Sequence, residues 1–230
     1  VALQLPQGLD ALLADRTAFL TAYQDAAYAR RFSDFVARVR GVEQARGRGD
    51  RFTRAVARSL FKLMAYKDEY EVARLYTDGD FMKKLEGEFE GTPRLRFHLA
   101  PPILGQRDAQ GRPVKRAFGP WMLQGFRVLA ALRRLRGTAF DPFGRTEERR
   151  TERRLIEEYR AGIEDILAHW DEVDAETALA LAKLPEQIRG YGHVKEASIA
   201  AAQVRRDALR ARLVAPRAEA GAVAREAVPA

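Results

Sequence analysis

The 230-residue chain contains no cysteine and no asparagine, and it has only three histidines and three serines. Without cysteine, this chain cannot hold thiolate-bound iron–sulfur clusters or cysteine zinc sites, and it has neither disulfides nor a cysteine nucleophile. No apolar run approaches the ~20 residues that span a bilayer, and the N-terminus is not a charged leader followed by an apolar core. We therefore expect a cytoplasmic chain with no membrane partner. Because it begins with Val1 rather than Met, we expect a piece of a longer polypeptide.

Motifs for catalysis and nucleotide binding are also missing. The histidines His98, His169 and His193 never stand four residues apart, so no helical zinc-protease site and no other metal site is predicted. No serine lies in a G-x-S-x-G elbow, and neither a P-loop nor a G-x-G-x-x-G after a strand is present. The catalytic residues are unknown at this stage. We expect this chain alone to be inactive and to bind no cofactor.

The charge of the chain is strongly positive, with a formal net charge of +8 and a pI near 10.0. Phosphate neutralisation by such a chain makes a basic helical nucleic-acid-binding module one alternative function. However, 33 of the 40 basic residues are arginine, and acids are interspersed with bases almost everywhere. Residues 133–154 hold eight arginines against four acids. This segment is either a docking surface or a solvated helical face.

Apolar residues recur at helical spacing along most of the chain, which predicts a mainly α fold. The strongest periodicity follows Thr146, and its buried stripe is predicted to be Leu155, Tyr159, Ile163, Ile166 and Trp170. One region departs from this pattern, because residues 94–99 alternate polar and apolar and a second extended segment covers 114–118. We predict one small β-hairpin or two-strand insertion near residues 94–118. Residues 1–214 are predicted to form a single helical domain, and residues 215–230 a disordered tail.

Two short segments carry the candidate site residues. The first is the junction Tyr66-Lys67-Asp68, where Asp68 is predicted to cap a new helix. The second follows a glycine-containing loop and includes His193 and Lys195 at another helix start. A lysine beside the positive end of a helix favours carboxylate or phosphate, so both segments are candidates for substrate binding or an interface. The alternative is structural: a hydrogen-bonded packing corner for the first, and for the second a histidine that caps a helix end or pairs with another side chain.

Five stretches of the sequence resemble, in the same order, the C-terminal region of the long single-chain indolepyruvate ferredoxin oxidoreductase family. They are Tyr66–Tyr76, Phe97–Pro102, Lys115–Met122, Asp141–Gly144 and Ile188–Lys195. The resemblance covers roughly residues 9 to 214. Members of that family oxidatively decarboxylate aryl or related 2-oxoacids to acyl-CoA and pass the electrons to ferredoxin. They use thiamine diphosphate with magnesium and [4Fe-4S] clusters.

The resemblance implies an accessory domain of such an enzyme rather than its catalytic part. The thiamine fold needs a Gly-Asp-Gly followed by an asparagine, whereas this chain has Asp78-Gly79-Asp80 and no asparagine. The implied roles are domain packing, subunit assembly or contacts on the substrate side. The implied partners are upstream catalytic domains of the same polypeptide, a second copy in a homo-oligomer, and ferredoxin and CoA for the complete enzyme.

Overall fold

The computed structural model describes residues 8–88, 95–99 and 114–214. The described part is mainly helical with a single two-strand antiparallel hairpin, so the predicted fold class is confirmed. The elements in chain order are α1 Leu9–Tyr23, α2 Ala26–Ala45, α3 Arg51–Met64, α4 Glu69–Thr77, α5 Asp80–Glu88, β1 Phe97–Leu99, β2 Arg116–Phe118, α6 Met122–Ala131, α7 Glu147–Ala168, α8 Ala175–Lys183 and α9 His193–Val214. Short 3-10 helices follow α6 at Leu132–Leu135 and α8 at Leu184–Gln187.

The hairpin lies where the alternating sequence pattern placed it. Phe97 pairs with Phe118 and Leu99 with Arg116 in an antiparallel register. The connection between the strands, residues 100–113, lies outside the described residues, as does the predicted tail at residues 215–230. Among the helices that the structure describes, none combines the length and the hydropathy needed to cross a bilayer.

The chain divides into two compact units, whose boundaries fall inside α2, α3 and α7. Unit 1 consists of Val1–Asp34 and Leu63–Ile156, and unit 2 of Phe35–Lys62 and Glu157–Ala230. Compactness does not test independent folding, so the single domain over residues 1–214 stays a prediction.

Unit 1 contains an aromatic cluster between α4, the hairpin and α6. The Tyr76 ring stacks on Phe126 with centroids 5.1 Å apart, and Phe97 meets both rings edge to face. Phe118 of β2 packs against the same cluster. The hairpin is therefore attached to the helices by aromatic packing, which is favourable when rings meet edge to face or offset-stacked.

Unit 2 has its own core, in which Trp170 packs against Phe52 at a centroid distance of 4.7 Å. Ile163, Ile166 and Trp170 are buried, in agreement with the predicted stripe, and the half-buried Tyr159 donates its hydroxyl to the carbonyl of Ala182. These contacts attach α7 to α8, because a buried hydroxyl needs a hydrogen-bond partner.

Candidate functional site

The first candidate segment forms the corner between α3 and α4 in unit 1. Asp68 is the N-cap of α4, and its Oδ1 accepts a hydrogen bond of 2.8 Å from the backbone N–H of Glu71. The predicted cap is thus confirmed. The side chains of Tyr66 and Asp68 are buried, whereas Lys67 between them is exposed. The corner therefore directs its tyrosine and its acid inward and only its lysine outward.

Asp68 is paired with a buried arginine from a distant part of the sequence. Arg136 donates from Nε to Oδ2 of Asp68 at 2.5 Å and from Nη2 to Oδ1 at 2.9 Å. Its third nitrogen, Nη1, donates to the carbonyl of Tyr23 at 2.6 Å, and the guanidinium lies 3.6 Å from the centre of the Tyr23 ring. Two parallel N–H···O bonds between ionised groups are among the strongest hydrogen bonds in proteins. Asp68 thus combines helix capping with a two-point ion pair.

Two tyrosine hydroxyls complete the corner by binding carbonyls at the end of α3. Tyr23, the last residue of α1, donates to the carbonyl of Tyr66 at 2.8 Å, and Tyr28 of α2 donates to that of Met64 at 2.9 Å. The last carbonyls of a helix have no partner within the helix and must find one elsewhere. The hydroxyls of Tyr23 and Tyr28 supply these partners in a buried position.

A second buried carboxylate ties α4 to the turn before α7. Asp141 accepts hydrogen bonds from the N–H groups of Gly137 and Phe143 and, at 3.1 Å, from the hydroxyl of Tyr70. A Cβ on Gly144 would lie 2.6 Å from the Asp141 carboxylate. The Asp-Pro-Phe-Gly sequence therefore needs its glycine because the aspartate side chain folds back over it.

The electrostatics of the corner keep its tyrosines neutral. Burial, with the nearby Asp68 charge, raises the pKa of Tyr66 to about 12, and burial raises those of Tyr23, Tyr28 and Tyr70 above their usual range. Burial alone would lower the pKa of Arg136, but its hydrogen bonds to Asp68 raise it. No tyrosine of this corner is an acid or a base near neutral pH. The hydroxyls of Tyr23, Tyr28 and Tyr70 therefore act here as neutral hydrogen-bond donors.

Two further arginines surround the corner with N–H groups that are not fully used. Arg149 is buried and bonds Glu69 through Nη2 at 3.4 Å, while Arg153 donates to the carbonyl of Gly144 at 2.5 Å. Nε and Nη1 of Arg149 and Nη1 of Arg153 have no hydrogen-bond partner among the described residues. These donors are buried and do not reach solvent, so among the described side chains of this corner it is Lys67 that is exposed for the predicted anion contact.

The second candidate segment lies in unit 2 at the start of α9. His193 is the first residue of the helix and is exposed, and Lys195, two positions further in the first turn, is half-buried. The preceding loop needs glycine at Gly190, whose φ is +92° and whose added Cβ would meet Val194 at 2.6 Å. The two candidate segments lie in different units.

Lys62 fixes the loop that leads to α9. Its Nζ donates to the carbonyls of Pro185, Glu186 and Ile188 at 2.8 to 2.9 Å. Burial lowers the pKa of Lys62, and the nearby charges of Arg189 and Lys195 lower it further. The carboxylate of Glu186 acts on Lys62 in the opposite direction, so this group of charges contains an acid as well as three cations. The contact of Lys195 with an anion stays a prediction.

A family model described as a family of unknown function, DUF6537, matches residues 9–208. The chain belongs to this family. No curated protein matches the chain, and no solved structure does. The DUF6537 match begins at the first residue of α1 and ends within α9, so it includes both candidate segments. The family description assigns no activity.

Within the DUF6537 region, the structure brings together four of the five stretches that carry the sequence resemblance. Tyr70 of the first stretch bonds Asp141 of the fourth, and the Tyr70 ring lies 5.4 Å from that of Phe143. The second and third stretches form the hairpin, where Phe97 pairs with Phe118. The Tyr76 ring at the end of the first stretch contacts Phe97. These four stretches therefore share one packed region of unit 1.

Several contacts that hold these elements together were not predicted. Helical spacing predicts that Tyr23 is buried, which is confirmed, but the contacts of Tyr23 and Arg136 have no local signal because their partners are far away in sequence. In unit 2 the buried Glu43 accepts the N–H groups of Phe52 and Thr53 at 2.9 and 2.8 Å. From its position directly before α3, Asp50 is the residue that the sequence predicts as the cap of these N–H groups. A carboxylate on a neighbouring helix caps this helix in place of the local residue.

Proposed function

We propose that this chain is the accessory helical domain of a larger enzyme that resembles indolepyruvate ferredoxin oxidoreductase. That enzyme would oxidatively decarboxylate aryl 2-oxoacids to acyl-CoA and reduce ferredoxin. The domain would serve in packing and assembly, with substrate-side contacts at Lys67 and Lys195. The sequence resemblance supports the family, and the DUF6537 match neither adds to it nor conflicts with it.

One observation supports the accessory role more than any other. Three residues of the first and fourth stretches that carry acid–base groups, Asp68, Tyr70 and Asp141, are buried and bonded to other groups of the same corner. A reacting group needs access to its substrate, and burial removes that access. Inward-facing, mutually bonded residues instead specify how α1, α3, α4 and α7 pack.

The residues of this chain do not fit the cofactors of the parent enzyme. Iron–sulfur clusters need thiolate ligands, and the chain has no cysteine. The thiamine diphosphate motif needs an asparagine, and the chain has none. Within the described residues no group of three His, Asp or Glu side chains is arranged to hold a metal ion. Thiamine diphosphate, magnesium and the clusters are therefore assigned to upstream domains.

The test is an activity comparison. The 230-residue chain, the complete polypeptide, and a complete polypeptide lacking these residues would each be assayed for viologen reduction with indolepyruvate, CoA, thiamine diphosphate and magnesium. We expect no activity for the chain alone and full activity for the complete polypeptide. Loss of soluble oligomer or of activity is expected when the domain is deleted. Activity of the chain alone, or an unchanged enzyme after deletion, would contradict the accessory role.

A further inference from the structure

Helix α6 carries an apolar stripe that faces solvent. Trp121, Val128 and Leu132 are 64%, 62% and 44% exposed, and Gly125 lies between them on the same side of the helix. The opposite side of α6 is packed, with Phe126 buried in the aromatic cluster of unit 1. Among the described residues, the face that contains Phe126 is packed in the cluster, whereas the stripe has one described ring contact, that of Trp121 with Phe118.

The spacing of the exposed stripe is that of a helix-packing seam. Trp121 stands directly before α6, Gly125 and Val128 lie within it, and Leu132 begins the 3-10 helix after it. Their separations of four, three and four positions align them on one side of this segment. Gly125 has no side chain and lets another backbone approach closely. Scattered single apolar residues on a surface are ordinary, but a continuous line of them rimmed by polar groups marks an interaction site.

The sequence segment that carries this stripe has charge of one sign. From Val114 to Phe140 it contains six Lys and Arg residues and no Asp or Glu, although acids and bases are interspersed along most of the chain. Arg136 is internally paired with Asp68. Arg127 in α6 and Arg134 in the 3-10 helix after it are exposed. A matching partner would therefore offer apolar contact to the stripe and negative charge to these two arginines.

We infer that the exposed face of α6 is a docking surface for an acidic amphipathic helix of a protein partner. A second copy of this chain would bring its own exposed arginines to this face, and like charges oppose each other across an interface. Nucleic acid would match the charge, but bases stack on aromatic rings, and the stripe beyond Trp121 is aliphatic or glycine. The inference goes beyond the proposed function, because it requires neither the parent enzyme nor its substrates.

The test uses the 230-residue chain and a fluorescein-labelled synthetic peptide of three heptads. The peptide has Leu at the first and fourth positions of each heptad and Glu and Ala elsewhere, and binding is measured by anisotropy. Peptides of the same composition in scrambled order, or with Lys in place of Glu, serve as controls. We expect the acidic amphipathic peptide to bind at least about tenfold more tightly than either control, with Trp121 emission shifted to the blue.

A matched pair of variants locates the binding face. Val128→Lys places a charge in the stripe and should weaken peptide binding by about tenfold or more, because an apolar anchor is lost. Val204→Lys makes the same change at a valine of α9 that is 72% exposed, and its affinity should equal that of the wild type. The double substitution Arg127→Glu with Arg134→Glu should reverse the preference from the Glu peptide to the Lys peptide. All variants change exposed residues, and unchanged circular dichroism would verify that they are folded.

Three results would overturn the inference. The first is equal binding of the ordered and scrambled acidic peptides, which would reduce the effect to general charge attraction. The second is preferential binding of a single-stranded oligonucleotide that Val128→Lys abolishes, which would assign the face to nucleic acid. The third is a dimer in sedimentation that Val128→Lys dissociates, which would assign the face to a second copy. Failure of the enzyme assay with retained peptide binding would contradict the proposed function and leave the docking surface in place.

Discussion

The Asp68–Arg136 pair allows the sharpest prediction about how the corner is stabilised. Both side chains are almost completely buried, and two hydrogen bonds join them. Arg136→Met keeps a long apolar side chain but removes the guanidinium. Asp68 is then left as a buried carboxylate that keeps the hydrogen bond from the backbone N–H of Glu71 but loses both bonds to the guanidinium. The carbonyl of Tyr23 also loses its donor.

The magnitude follows from the cost of an uncompensated buried charge. Removing one partner of a buried ion pair costs about 3–5 kcal/mol of the free energy of unfolding. Replacing both partners by neutral groups costs far less, because no charge is left without a partner. The double variant Asp68→Asn with Arg136→Met keeps a capping side chain on α4, since asparagine is a good N-cap. We therefore expect it to recover more than half of the stability lost in Arg136→Met.

The assay is urea unfolding followed by circular dichroism at 222 nm. Arg134→Met is the matched control, because Arg134 is exposed and stands two residues earlier in the same segment. A surface substitution of this kind should change the free energy of unfolding by no more than about 0.5 kcal/mol. If Arg136→Met were no less stable than Arg134→Met, or if the double variant lost as much as the two single variants together, the coupling described for this corner would be wrong.

Three other predictions concern the core, pH and the candidate lysines. Trp170→Ala should destabilise the chain by about 3–5 kcal/mol, because the ring is buried against Phe52; normal thermal stability would contradict that packing. The free energy of unfolding should fall as pH rises from about 10, the pKa of an unfolded tyrosine, towards about 12, the folded pKa of Tyr66. The sign follows because folding favours the protonated hydroxyl, and stability that rose over this range would refute it. Lys67→Met and Lys195→Met in the complete enzyme should raise the Michaelis constants for 2-oxoacid or CoA roughly tenfold at unchanged melting temperature. The reason is the loss of a charge-assisted hydrogen bond to the anion. Unchanged kinetics would contradict a contact between these lysines and substrate.

The local parts of the fold could be predicted from the sequence. Asp68 caps a helix whose N–H donor lies three residues away, so the signal lies within one turn. The hairpin near residues 94–118 followed from the two-residue alternation, and the burial of Trp170 from helical spacing. The cap of α3 was different, because Glu43 on another helix accepts the N–H groups assigned to Asp50. Choosing between two nearby acids requires the packing of the helices.

The long-range parts could not be predicted, and the arginine-rich segment shows why. From the sequence, residues 133–154 were predicted to form either a docking surface or a solvated helical face. In the structure Arg136 and Arg149 point inward, while Arg134 and Arg150 are exposed. The sequence alone does not distinguish a buried arginine from an exposed one unless its partner is known. The partner of Arg136, Asp68, stands 68 residues away. The same holds for Tyr66 and Asp68, whose partners in the corner, Tyr23 and Arg136, are also far away in sequence.

The most direct measurement of the central claim is the sequence of the cellular polypeptide that contains these residues. The endogenous protein would be captured with an antibody against this chain and mapped by peptide mass spectrometry together with its intact mass. We expect a larger polypeptide whose upstream peptides contain a Gly-Asp-Gly followed by an asparagine, together with a set of cluster-binding cysteines. A polypeptide that contains residues 1–230 without those upstream elements would contradict the assignment to a 2-oxoacid oxidoreductase.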